Sequence, residues 1–144
     1  LETDPDNTCW VSISEEYYTI GLLARNKYSG NSLLKHLKKE NALQKICGVL
    51  WVVSQKLKLM NKFTVLLAVL LPPSEYQDKE HFESKLKQVL KYFNTPTSEI
   101  RIKLIDLNVV PEGVGIYLHR RTIWEQIFRC HRCWIILLDV VVVY

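Results

Sequence analysis

Two stretches of the chain are apolar almost without interruption: Phe63 to Leu71, broken only by Thr64, and Cys133 to Val143, broken only by Asp139. A strand packed on both faces reads as a continuous apolar run, whereas one with a solvated face alternates. Both runs are therefore expected as buried strands, the first closed by Pro72-Pro73. Neither approaches the roughly 20 residues of a membrane-spanning helix. Between them "IRIKLIDL" (100–107) alternates apolar and charged through Lys103 and then loses the pattern. That predicts a strand solvated on one face at first, near a sheet edge.

The segments between the strands have helical spacing. From Asp78, a candidate N-cap, Phe82, Leu86, Val89, Leu90 and Phe93 fall on one side, with Glu83 and Lys87 a turn apart on the other. In "RRTIWEQIFRCHRC" (120–133), Ile123, Trp124, Ile127, Phe128 and His131 face one way and Arg121, Glu125, Arg129 and Arg132 the other. "PEGVG" (111–115) makes a turn and "IYLH" (116–119) a short strand. Residues 63–144 thus read β-α-β-(β)-α-β, a parallel sheet flanked by helices, with the 100s strand, the 63–71 strand and the C-terminal strand in that spatial order.

The first 62 residues are expected to be a polar lead-in (1–13) followed by mainly helical chain (14–62). Ser14 caps a helix with Glu15 and Glu16 in its first turn and Gly30 as its stop, and Asn31 or Ser32 caps the next, "LLKHLKKE". Residues 41–62 have two readings. Leu43, Ile46, Cys47, Leu50, Val53, Leu57 and Met60 form one helical stripe. Alternatively, Gly48 ends a helix near Cys47 and "VLWVV" is a strand, as its β-branched residues favour. The second is adopted as the expectation. The fold class is then α/β: one three-layer domain over 1–144 with a small, mainly parallel sheet, amphipathic helices on both faces and extra N-terminal helices.

Composition changes this picture in one respect. The apolar fraction of 48% and four tryptophans exceed what a lone small sheet must bury, which points to a surface that another chain covers. The chain opens on Leu1 and closes on an apolar run, as a piece of a larger protein would. Four cysteines are too few for a disulfide framework, and the acidic, polar start is no secretory leader, so an intracellular protein of cytoplasm or nucleus is expected.

Charge adds a candidate. Of the net +4, residues 31–62 carry +6, with Lys35, Lys38, Lys39, Lys45, Lys56, Lys58 and Lys62 against Glu40. Lys35, Lys38, Lys39 and Lys45, with Arg120, Arg121, Arg129 and Arg132, are the positions that could meet an anion or nucleic acid. Solvated faces explain the same charges, since Glu125 lies one turn from both Arg121 and Arg129.

Catalytic chemistry finds little purchase. There is no Gly-x-Gly-x-x-Gly and no Gly-Lys-Ser/Thr among only five glycines. Asp106 and Asp139, set in apolar strands, are the strongest candidates for a perturbed acid. Ser74 and Glu75 follow a strand end, without an identifiable histidine; His36, His81 and His119 read as surface or helix residues. Cys130 and Cys133 offer at most two metal ligands and close a helix, the wrong end for a redox pair. The expectation is a non-catalytic interaction or scaffolding domain, without cofactor or metal, whose partner is another protein chain in a homo- or hetero-oligomer. The alternatives are a nuclease-like, nucleic-acid-associated domain without catalytic acids, using the 31–62 segment, and a cytosolic juxtamembrane regulatory domain. Membrane contact within the segment itself is not expected.

Overall fold

The computed structural model describes residues 4–28, 38–112, 135–137 and 141–143. Its elements run α1 (Pro5–Thr8), β1 (Trp10–Ile13), β2 (Glu16–Thr19), α2 (Leu22–Tyr28), α3 (Lys38–Lys56), β3 (Lys62–Leu71), a short 3-10 segment (Tyr76–Asp78), α4 (Lys79–Val89), β4 (Phe93–Asn94), β5 (Glu99–Pro111), β6 (Ile135–Leu137) and β7 (Val141–Val143). The fold is α/β. A five-stranded mixed sheet has the order β2-β1-β4-β5-β3, and β6 and β7 form a separate pair.

Among the described residues β3 and β5 are the one parallel pair; β1–β2, β1–β4 and β4–β5 are antiparallel. The expected mainly parallel sheet is therefore corrected to a mixed, mostly antiparallel one. The cause is local. Residues 10–19 form a hairpin instead of a lead-in and a helix. Ser14 and Glu15, expected as cap and first-turn acid, are its turn, both at positive φ (51° and 69°). Two successive positive-φ residues give the twist that a two-residue hairpin needs, and Asn or Gly is the usual occupant. Burial of Val11, with Ile13, Tyr18 and Ile20 packed against the core, offsets the strain. Only the second half of the expected helix is helical, as α2.

The helix α3 corrects the second expectation. It runs unbroken through Gly48, so 49–53 is helix and the stripe reading holds: Ile46, Cys47, Leu50 and Trp51 are all buried. Gly48 is there for close approach. A Cβ at this position would lie 2.6 Å from Ile20 Cδ1 and 3.0 Å from Cys9 Sγ, so glycine lets α3 press onto the hairpin. Met60, last of the stripe, lies beyond the helix and is exposed.

The β3–α4–β5 unit matches its sequence pattern. Val65, Leu67, Val69 and Leu71 are buried, facing Phe82 and Leu86 of α4 and the Ile46–Leu50–Trp51 face of α3 in one core. The opposite face of β3 is half-buried, so the strand is enclosed fully on one side only. Glu83 and Lys87 pair at 3.8 Å as their spacing predicts. In β5 the loss of alternation has a structural cause, a bulge. Leu104 pairs with Val65 but Asp106 pairs with Leu66, leaving Ile105 unopposed and half-exposed. The inward set moves from even (Ile100, Ile102, Leu104) to odd (Leu107, Val109) numbers, and the same face stays greasy. Nor is β5 a simple edge: it lies between β3 and β4, the latter pairing only with Glu99 and Ile100.

The C-terminal run was expected as one strand. It is instead two, β6 and β7, joined antiparallel with Ile135 opposite Val143. β6 lies close to β3 but pairs with β7, outside the five-stranded sheet, so the expected order of three neighbouring strands in one sheet is corrected to β5 beside β3 alone. The helix expected over 120–133, the "IYLH" strand and the caps at Asn31 or Ser32 fall outside the described residues, as does the layer that helix would form. No helix among the described residues is long and apolar enough to cross a membrane.

Candidate functional site

A concavity lies where α3 meets the N-terminal hairpin. One wall is Val49, Val52, Val53 and Leu57, each half-buried, and the other is Ile20 with Gly21. Gly48 and Cys9 form the floor, and the volume is about 340 Å³. At the rim Lys56 Nζ meets Asp6 Oδ2 at 2.8 Å, both half-exposed. The helix creates this wall because its sequence is apolar well beyond the arc facing the sheet: Val49 and Val52 point away from the Ile46–Leu50 stripe. A surface helix ordinarily turns charge to solvent there.

Cys9 is nearly enclosed, its Sγ donating to the Gly48 carbonyl at 3.7 Å. Burial, reinforced by the Asp6 carboxylate, pushes its thiol up to about 12. Burial likewise pushes the Cys47 thiol up. Both are thus protonated, weakly nucleophilic packing residues at neutral pH. Neither cysteine is an activated nucleophile; the groove offers apolar surface with the Lys56–Asp6 pair at its mouth.

The far side of α3 is braced. Trp51 Nε1 donates to Thr97 Oγ1 at 3.0 Å, and Thr95 Oγ1 donates to the Ser98 carbonyl at 2.6 Å, closing the turn between β4 and β5. Ser54 Oγ donates to the Trp51 carbonyl at 2.7 Å. This network fixes the helix against the sheet, so the groove wall is rigidly placed.

The candidates from sequence are scattered. Lys45 is exposed on α3. Lys38 and Lys39 are in its first turn. Lys35, Arg120, Arg121, Arg129 and Arg132 lie outside the described residues, with Asp139, Cys130, Cys133, His36 and His119. Asp106 is exposed on the face away from the core, its Oδ1 accepting from the Leu107 N–H at 2.9 Å, so the bulge and not burial explains a carboxylate in this strand. Glu75 is buried and Ser74 exposed after β3; His81 is exposed on α4. Among the described residues no group of three or more His, Cys, Asp and Glu could hold a metal ion.

Sequence reasoning missed the groove walls. The available signal was the valines at 49, 52 and 53, which read as strand propensity and instead make a second apolar face on a helix. No family model matches the chain, nor does any curated protein or solved structure.

Proposed function

We propose that this chain is a non-catalytic domain that binds another protein chain, with the α3–hairpin groove as its contact. The valine-lined trough of about 340 Å³ carries the proposal. It is large enough for one or two big apolar side chains, and hot spots of interfaces are such anchors in pockets. The Lys56–Asp6 pair at the mouth supplies a polar rim, the usual border of an interface core. Two buried thiols that are not joined to each other support an intracellular setting. Beyond Thr64 the outer face of β3 is half-buried at Leu66, Ala68 and Leu70, which supports a second helical layer over that part of the strand, and so a three-layer sandwich, as expected from residues 120–133.

The test is a photo-crosslinking residue at Val52, with light scattering over a range of protein concentration. The expected result is a dimer or a discrete adduct with an identifiable protein, lost in Val49→Glu and Val53→Glu variants that keep the native circular dichroism. A chain that stays monomeric at high concentration, and whose adducts are indifferent to those glutamates, overturns the proposal.

A further inference from the structure

On the face of the sheet turned away from the core, β3 and β5 set three cations together. Lys62 is the direct cross-strand partner of Arg101, and Lys103 is the partner of Thr64, the second residue after Lys62. All three are exposed, Arg101 with 66% of its side chain accessible. Alternation along β5 puts Arg101 and Lys103 on one face, about 6.6 Å apart, and cross-strand neighbours stand about 4.8 Å apart. One acid shares the row: Glu99 Oε1 accepts from Arg101 Nε at 2.7 Å and holds the guanidinium in place. The next acid on this face, Asp106, lies past the bulge, opposite Leu66.

An aromatic ring borders the row. Tyr92 immediately precedes Phe93, which pairs with Ile100. Phe93 is buried on the core side and pairs with Ile100, which places Tyr92, the residue just before β4, beside the Arg101 end of the row, where it is 63% exposed. From the entry to β4 across β5 and β3, the surface therefore brings together a tyrosine, an arginine and a lysine, with a second lysine one step along.

We propose that this corner of the sheet binds single-stranded nucleic acid, the cations meeting successive phosphates and Tyr92 stacking on a base. Its charges repeat along a strand and across to its neighbour, which suits an extended polyanion. Aromatic platforms beside a cationic track are the general device for holding single strands, and open sheets present them well. This site is separate from the α3 groove and, Lys62 apart, from the 31–62 lysines, and stands or falls independently of the groove.

The probes are labelled single strands of about 12 nucleotides, DNA and RNA, the matching duplex, and vesicles containing phosphatidylserine, titrated by anisotropy or co-sedimentation. Binding of the single strand is expected with Kd on the order of 10⁻⁵ M at low salt, weakening roughly tenfold between about 50 and 200 mM salt, as two or three phosphate contacts require. Lys62→Glu with Lys103→Glu removes it, and Tyr92→Ala weakens it by about 5- to 100-fold while Tyr92→Phe does not, since stacking needs the ring alone. Lys45→Glu, a control for total charge, leaves it within about twofold. Circular dichroism of each variant must match the parent. No saturable binding, equal binding to duplex or vesicles, or loss of affinity that follows net charge and ignores Tyr92 each overturns the proposal.

Discussion

Gly48→Ala is the substitution for which helix propensity and tertiary packing disagree most clearly. In a helix interior, alanine is favoured over glycine by about 1 kcal/mol. Here the new methyl meets Ile20 Cδ1 at 2.6 Å, Cys9 Sγ at 3.0 Å and Ile20 Cγ2 at 3.2 Å. The first contact involves the end of a flexible side chain, which can swing aside. The other two involve a β-branched methyl and a buried sulfur with little room, and overpacking of this kind costs about 1–3 kcal/mol. The net expectation is a loss of about 1 kcal/mol, measured as a lower urea midpoint at unchanged m-value. Ile20→Ala removes two of the three contacts. In that background Gly48→Ala should become neutral or stabilising, a coupling of at least about 1 kcal/mol in the double-mutant cycle. If Gly48→Ala raises stability by about 1 kcal/mol in the parent, or the coupling is near zero, the close-approach explanation of Gly48 is wrong.

Two further outcomes follow from the core. Deleting Ile105 closes the bulge and leaves Leu104, Asp106 and Leu107 in simple alternation, so the chain should keep its fold with a melting temperature within a few degrees of the parent. Deleting Lys103 also removes the surplus residue, but Ile105 then takes the inward place of Leu104 and Leu104 turns to solvent, so a lower melting temperature than for the Ile105 deletion is expected with cooperative melting kept. Because the Cys9 thiol is held at about 12 in the folded chain, well above its unfolded value, its contribution is complete below about pH 8.5. It is lost as pH rises from there toward the folded value. Alkaline destabilisation with a slope of up to about 1.4 kcal/mol per pH unit per thiol is expected, reduced in Cys9→Ala; an unchanged slope refutes it.

Where one physical preference dominated, the sequence could be read. The apolar run of β3, the amphipathic spacing of α4 and the alternation at the start of β5 each had one low-energy solution, and the chain took it. The hairpin was hidden because its turn uses serine and glutamate at positive φ, residues that also open helices. The strand–helix ambiguity at 48–53 hid α3, since valines suit either state and Gly48 is explained by Ile20 and Cys9, which are far away in sequence. The bulge masked the continuity of β5, because a period of two that changes phase looks like a period that ends. The groove and the cationic corner depend on which strands become neighbours, and only pairing supplies that. Lys62 and Arg101 are unremarkable until β3 and β5 lie in register.

The N-terminal hairpin joins the rest of the sheet through a single rung, Ser12 opposite Asn94. Closing that rung demands that distant parts of the chain meet for very little ladder in return, whereas β3, α4 and β5 are neighbours along it. Assembly should therefore be hierarchical, the central βαβ unit condensing early and the hairpin docking onto it last. Hydrogen exchange will report this order, with amides of Val11 and Tyr18 opening at lower free energy than those of Val65 and Leu67.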